Sequence, residues 1–413
     1  MEKYILKNGI KSIIKRNNNT PRCAFVLYSK IHKDEEKAGL YYLITQLLFQ
    51  GTKTKTAEEL ASLLDENAID MSFEKKADYI RFKVQCLNED ISLALEIFED
   101  IIKNSTFDDF KKEIIKIKGE FTADLDSAKV QAQDNFYRTI FKNHTYGTGR
   151  TEILEQIDSI EKEDIINAWN EIKISTMKNI TVVGDIETTT IIELLEKHLS
   201  FLEIKNENTQ RKEITPIVEN VISVVEKEDA NQAQIFQGWQ FPSIHSEDYA
   251  SIILLNTILG SSGLSSRLFL ELREKQGLAY TVRSVFEPYL LCGNFFVYIA
   301  TEPKNIKTSI NGFDKEIKKI MTEIISEQEL EDAKNNAIGK RQFYQETNLL
   351  EASLKGYYEF LDLGYSFEEK LIENIKAVTK EMIIETAAKY FSKPSALCVL
   401  APKKYLEEAN LIC

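Results

Sequence analysis

The sequence predicts an α+β chain of two homologous, α/β-sandwich-like domains, each a mixed sheet packed with helices, and three observations carry that expectation. At 413 residues the chain exceeds what one hydrophobic core commonly supports. Apolar patterns of period 2 and period 3.6 are mixed along it, without the regular strand–helix alternation of a doubly wound sheet. The stretch from Ile157, IDSIEKEDIINAWNEIKISTMKNITVVGDI, also lies over the stretch from Ile375, IKAVTKEMIIETAAKYFSKPSALCVLAP. In each, a capping residue (Ser159 or Thr379) opens a helix that leads through a loop to a short apolar strand, the mark of a long-period duplication.

The elements follow in order. YILKNGIKSIIKR is two short alternating runs around Asn8-Gly9, a hairpin turn pair, and CAFVLYSKI is a further strand. GLYYLITQLLFQGT, from Gly39 to Thr52, has the apolar spacing of a helix closed by a Gly turn, yet places polar Tyr42, Thr45 and Gln46 within it. TAEELASLLDENA is a second helix with Thr56 as its N-cap. SFEKKADYIRFKVQCL alternates as one long strand or a hairpin, ISLALEIFEDIIKN returns to helix, and helical stretches run from Phe107 to Phe141. EIKNENTQRKEITP, from Glu203 to Pro216, is charged and free of aromatic residues, as a linker is. These readings place an N-terminal domain at 1–205, a linker at 206–216 and a C-terminal domain at 217–413, with the boundary near Lys212.

Bulk chemistry narrows the function. A net charge of -13 argues against duplex nucleic acid or an anionic membrane as the main partner. Lys7, Lys11 and Lys15 interrupt the opening apolar run, and no run is long enough to span a bilayer, so a cytoplasmic location is expected. Cys23, Cys86, Cys292, Cys398 and Cys413 are scattered without C-x-x-C spacing, most in apolar strand contexts that suit small buried hydrophobes. His32, His144, His198 and His245 form no short-spaced pair, and surface or satisfied loop positions are expected for all four. The Gly/Ser-rich turn Gly260–Ser266 lacks the G-K-[ST] ending of a phosphate loop, which excludes nucleotide binding there.

Four stretches, YILKNGIKSII, GLYYLITQLLFQGT, SSRLFLELREKQGLAYTVRS and VTKEMIIETAAKYF, fall in an order that resembles the M16 family of zinc metallopeptidases. This is the pitrilysin, insulinase and mitochondrial-processing-peptidase group, in its two-domain short form, and the resemblance runs nearly end to end. It implies that the chain forms one clam-like half of a chamber. In the family, the helix matching Gly39–Thr52 carries H-x-x-E-H, two zinc ligands and a general base. Those positions fall here on Tyr42, Thr45 and Gln46, and the third ligand position on Glu120. One carboxylate cannot hold a catalytic zinc, so no metal and no cofactor is expected in this chain. His144, in KNHTYG, resembles a loop position of the family.

The resemblance also implies that Arg273 and Tyr280 match an Arg and a Tyr that hold substrate and stabilise the tetrahedral intermediate from the second domain. The residue types suit that work, a guanidinium fork for peptide carbonyls and a phenol donor for an oxyanion. Taken without the family, Arg273 between Glu271 and Glu274 reads rather as a solvated or ion-paired helix residue, and Tyr280 as a half-buried strand aromatic. Substrate in the family adds to an edge strand that matches Met71, Ser72 and Phe73 here, where bulkier and charged residues replace a small polar N-A-x-T-like pattern. Lost ligands with a retained Arg/Tyr pair resemble the non-zinc subunit of heterodimeric M16 peptidases. The implied partner is a homologue carrying H-x-x-E-H with the zinc, and the implied substrates are unfolded or short peptides. The alternative is a catalytically inactive, homodimeric peptide-binding or scaffold protein. No Ser/His/Asp or Cys/His constellation supports hydrolysis by this chain alone.

Overall fold

The computed structural model describes residues 1–174, 178–204 and 210–412. Its strands are β1 (Glu2–Ile5), β2 (Lys11–Arg16), β3 (Arg22–Lys30), β4 (Asp70–Lys75), β5 (Tyr79–Leu87), β6 (Lys178–Gly184), β7 (Val221–Glu226), β8 (Ala233–Phe241), β9 (Ala279–Pro288), β10 (Gly293–Thr301) and β11 (Ala396–Ala401). The helices begin with α1 (Leu40–Leu47), α2 (Ala57–Glu66), α3 (Ile91–Asn104), α4 (Phe110–Leu125), α5 (Ala128–Ile140), α6 (Arg150–Gln156), α7 (Lys162–Lys173) and α8 (Thr188–Leu199). They continue with α9 (Tyr249–Asn256), α10 (Ile306–Thr322), α11 (Glu327–Gln342), α12 (Asn348–Phe360), α13 (Phe367–Ala377), α14 (Lys380–Phe391) and α15 (Lys403–Glu408). The chain forms two compact units that interleave along it. One comprises Met1–Glu120, Glu152–Arg211 and Gln342–Glu368, and the other Phe121–Thr151, Lys212–Arg341 and Glu369–Cys413.

The first unit is a mixed sheet in the order β1-β2-β6-β3-β5-β4, parallel at β2–β6 and antiparallel elsewhere. Asn8-Gly9 makes the β1–β2 turn, with Gly9 at φ 88, a backbone that glycine adopts without a Cβ penalty. The long alternating stretch resolves into a β4–β5 hairpin, closed by Lys76 N donating to Tyr79 O at 2.8 Å. Central strands β3 and β6 are buried nearly throughout, while β5 alternates, as a strand nearer the sheet edge does. One sheet face packs an aromatic core in which Phe98 of α3 meets Phe25 and Phe82 edge-on, at 5.5 and 5.8 Å. The opposite face is covered by α12 through both aromatic and polar contacts: Phe360 stacks on Tyr28 at 5.8 Å, Lys15 Nζ reaches Glu351 at 2.6 Å, and Asn179 Nδ2 donates to Gly356 O at 2.8 Å. Helix α2 starts as expected, with Glu59 N donating to Thr56 Oγ1 at 3.2 Å.

The second unit repeats the design in the order β7-β11-β8-β10-β9, parallel at β7–β11 and antiparallel elsewhere. Strand for strand this is β2-β6-β3-β5-β4 of the first unit with the same senses, so the sequence duplication is a duplication of topology. Helices α10 and α14 cover one face, where Trp239 and Phe295 both meet Phe391. Helix α5 covers the other, its Phe136 stacked on Phe236 at 5.4 Å. It fits because Gly238 has no side chain: a Cβ there would lie 2.5 Å from the Phe136 ring. Thr379 caps α14, accepting from Met382 N at 3.3 Å.

Ser159 does not cap its helix as expected. Its Oγ donates to Gln156 O at 2.6 Å, and the N-cap of α7 is Glu161, two residues later, whose N donates to Asp164 Oδ2 at 2.8 Å. Residues 206–209 of the expected linker, and Cys413, lie outside the described residues. Arg211, from the same charged stretch, is only 3% exposed in its side chain, and its guanidinium meets Asp78 at 2.7 Å and Asp34 at 3.2 Å. Cys23 and Cys86 face each other across β3–β5 as buried free thiols, each pushed up to about 12 chiefly by burial.

Candidate functional site

Gly39 is the N-cap of helix α1; its φ of 89 suits glycine, and a Cβ there would lie 2.6 Å from Ile153. Leu40, Leu43, Ile44 and Leu47 are buried, which fixes the helix rotation. Thr45 is buried on that helix and turns its hydroxyl inward, donating to Tyr42 O at 2.7 Å, while Gln46 Nε2 reaches Thr45 Oγ1 at 3.5 Å. Beyond the helix, Phe49 stacks on Phe73 at 4.5 Å, and Thr52 Oγ1 donates to Asp100 Oδ2 at 2.8 Å. The frame of GLYYLITQLLFQGT is thus held by packing and by the Asp100 carboxylate.

On α4, Glu113, Lys116 and Glu120 are spaced to share one helical face. Glu113 is buried and accepts from Lys116 Nζ at 3.2 Å. The Lys116 ammonium is held above its ordinary pKa, first by that hydrogen bond and by the Glu113 charge, then by Glu120, with Tyr42 adding only once its phenol ionises. A cation carried by the chain itself therefore lies within the electrostatic reach of both Tyr42 and Glu120. Zinc needs about three N, S or O⁻ ligands with an open position. Tyr42, Thr45 and Gln46 offer no imidazole and no carboxylate, and Lys116 adds repulsion, so these residues do not fit a zinc ion. Among the described residues no group of three or more His, Cys, Asp or Glu side chains is placed to hold a metal.

The histidines lie apart from these positions in the sequence. His144 Nδ1 accepts from Tyr146 N at 3.1 Å, ordering the turn after α5. His198 departs from the expected surface or loop position: it is buried on α8, with Nδ1 2.9 Å from Glu99. His245 is exposed and His32 is buried.

Strand β4 pairs only with β5, so its outer backbone edge is unpaired within the sheet. Met71 and Ser72 are half-buried, whereas Phe73 is buried among Phe49, Phe82 and Phe98. Glu74 is held down at about 2: burial pushes its carboxyl up, but Lys83 and Arg81 outweigh it.

In the second unit, Arg273 lies in a π-helical turn, Phe269–Lys275, and Tyr280 near the start of edge strand β9. Such turns widen a helix locally and recur at functional positions. Gly277, at φ 62, reverses the chain between them. Arg273 Nη1 donates to Tyr280 O at 2.6 Å, and the guanidinium lies 4.5 Å from the Tyr280 ring and 4.7 Å from that of Phe269. Tyr280 is 79% exposed, and Glu271 pairs with Lys275 rather than with Arg273. A second π-helical turn, Thr257–Ser261, presses on β9. Gly260 permits it, since a Cβ there would lie 2.1 Å from Ser284 N, and Ser284 Oγ donates to Asn256 Oδ1 at 2.7 Å.

Residues 13–152 match the family model described as insulinase (peptidase family M16), and residues 159–337 match that of the peptidase M16 inactive domain. The chain belongs to the M16 peptidase family. It is 24% identical to an uncharacterized zinc protease YmxG of Bacillus subtilis, covering 97% of this chain and 98% of that protein. It is 27% identical to an uncharacterized zinc protease of Rickettsia felis, over 96% of each. A relative in Helicobacter pylori, 25% identical over 85% of this chain and 81% of its own, carries the name non-peptidase homolog YmxG. Among solved structures, the fold matches a peptidase M16 inactive domain from Pseudomonas fluorescens with a TM-score of 0.88, at 19% identity, over 97% of this chain and 98% of that one. It also matches a protease from Helicobacter pylori with a TM-score of 0.86, at 20% identity, over 97% and 99%. Within this M16 fold, sequence reasoning missed Lys116, whose signal was its place between Glu113 and Glu120 at helical spacing.

Proposed function

We propose that this M16 chain is the non-zinc subunit of a heterodimeric metallopeptidase, contributing Arg273 and Tyr280 to peptide bound at a partner's zinc. The partner is a homologous M16 chain carrying H-x-x-E-H, and the substrates are unfolded or short peptides. The observation that carries the reading is the Arg273–Tyr280 pair: a guanidinium braced by a carbonyl and two rings beside a phenol that is 79% exposed. An exposed aromatic with a braced cation is arranged for a ligand rather than for the core. The degenerate positions Tyr42, Thr45, Gln46 and Glu120, with Lys116 beside them, support a chain that supplies no zinc of its own.

In this reading the duplicated halves are 1–205 and 217–413, joined by 206–216. The unpaired edge of β4 at Met71, Ser72 and Phe73 is a minor backbone track for peptide, with Phe73 contributing main-chain groups only. The location is cytoplasmic; no helix among the described residues is long and apolar enough to cross a membrane. A second reading, an inactive homodimeric peptide-binding or scaffold protein, is favoured by the name of the Helicobacter pylori relative, non-peptidase homolog YmxG.

The test is to purify the chain alone and together with an H-x-x-E-H homologue from the same genome, then measure zinc content and cleavage of quenched peptides. Cleavage by the mixture, lost on Arg273→Ala, is expected. Stoichiometric zinc with cleavage by the lone chain would sink the proposal, and an inactive mixture favours the scaffold.

A further inference from the structure

The duplicated topology repeats one point of the fold in both units. Leu27 pairs with Ile180 and Ser29 with Lys178 across β3–β6, as Gln237 pairs with Leu397 across β8–β11. Trp239 and Ser395 therefore hold the places of Ser29 and Lys178. In the first unit this point is filled: the buried Lys178 side chain and its apolar neighbours leave a void of only about 10 Å³. In the second unit Ser395 supplies no such plug, and between β8, α10 and the end of α14 a cavity of about 500 Å³ opens to solvent. That volume lies within the range of small-ligand sites, roughly 300–1,000 Å³.

Its lining has three chemistries. Trp239, Ile317 and Phe391 make an apolar floor and wall. Gln237, 8% exposed, donates from Nε2 to Asp314 Oδ1 at 3.2 Å and is left with an Oε1 that has no partner among the described residues. Asp314 itself is exposed toward solvent. Lys318 and Lys393 bring positive charge to the rim and Glu219 a further carboxylate, all three exposed. Acceptors beside an aromatic floor and cations at the rim match a molecule with an ammonium at one end, a carboxylate at the other and an apolar side chain between.

We propose that this cavity binds a short free peptide of about dipeptide size with apolar side chains. The ammonium faces Asp314, the carboxylate faces Lys318 and Lys393, and the side chain lies on Trp239 and Phe391. The site is separate from Arg273 and Tyr280 and does not rest on pairing with another subunit, so it is tested on the chain alone.

Trp239 is one of only two tryptophans, so indole fluorescence reports on the floor directly. Leu-Leu is the probe, titrated by fluorescence and followed by amide NMR shifts. Saturable binding with Kd at or below about 1 mM is expected, with N-acetyl-Leu-Leu and Leu-Leu-amide each about tenfold weaker. Asp314→Asn, an exposed change that leaves folding intact, weakens Leu-Leu about tenfold and removes its advantage over the N-acetyl form. Gln237→Leu, with its melting temperature checked, weakens binding likewise. No saturation at about 10 mM, equal affinity for the blocked peptides, or unchanged affinity in Asp314→Asn overturns the proposal.

Discussion

Arg273 is tied to Tyr280 twice, through a 2.6 Å hydrogen bond from Nη1 to the Tyr280 carbonyl and through its guanidinium 4.5 Å from the Tyr280 ring. Both ties spare the phenol hydroxyl. A guanidinium has five N–H donors, so one bond to a carbonyl leaves most of the fork for a ligand. Tyr280→Phe should then keep the bracing intact, with stability changed by no more than about 0.5 kcal/mol. If the hydroxyl serves as an oxyanion donor, the same change should lower kcat of the paired enzyme by about a hundredfold or more. Arg273→Lys keeps the charge but loses the planar fork, and should raise KM more than it lowers kcat. Steady-state cleavage by the two-chain mixture separates these outcomes, and unchanged kinetics in both variants would return the pair to a structural role.

Gly260 is the contact that seats the π-helical turn Thr257–Ser261 against β9. A Cβ would meet backbone, Ser284 N at 2.1 Å, with no flexible side chain able to move aside. Gly260→Ala should destabilise the protein by about 1–3 kcal/mol, by overpacking. Because β9 carries Tyr280, the variant should also lose mixture activity at temperatures where it remains folded. Urea unfolding gives the first quantity; a wild-type midpoint would show that the strand yields without cost.

The duplicated topology and the helix of GLYYLITQLLFQGT were legible because they rest on periodic apolar positions and on glycines at fixed offsets. Thr56 and Thr379 announced their caps for the same local reason. Ser159 misled because a serine three residues upstream of the helix bonds equally well to the preceding turn, at Gln156 O. What spacing could not show is long-range. Helix α12 lies on the sheet built from β1 to β6, and α5 on the sheet built from β7 to β11, so each compact unit includes a segment from the far part of the chain. Lys178 and Gln237 acquire meaning only from what packs around them, and no window of sequence contains their neighbours; Lys116 was visible between Glu113 and Glu120 on one helix.

Lys116 bears on the metal question directly. A ligand that binds only the folded state stabilises it by RT ln(1 + [L]/Kd), about 2.7 kcal/mol at a hundredfold excess over Kd. With Tyr42, Thr45 and Gln46 in place and an ammonium near Glu120, neither micromolar zinc nor a chelator should shift the melting temperature of this chain. Elemental analysis of the purified protein should find zinc far below one equivalent. A chelator-sensitive melting curve would contradict the reading of these positions.

Lys178 gives a pH dependence with a definite sign. It heads β6, is 2% exposed, and burial lowers its pKa from 10.5 to about 7. Below pH 7 the ammonium is protonated in both the folded and the unfolded chain, and the folded state bears the full cost of a buried charge. Between pH 7 and the unfolded value the unfolded chain binds the extra proton, so stability rises with pH. The thiols of Cys23, Cys86 and Cys398, each raised to about 12 from 9.0, act in the opposite sense above pH 9, where the folded state holds protons that the unfolded chain releases. Lys178's contribution is therefore read cleanly between pH 7 and pH 9. Lys178→Met should raise stability at pH 7 by a few kcal/mol and flatten the slope in that window, as replacing a buried charge by a hydrophobe of similar length does. Urea denaturation at half-unit pH steps measures both effects, and a wild-type slope surviving in Lys178→Met would assign the pH dependence to another group.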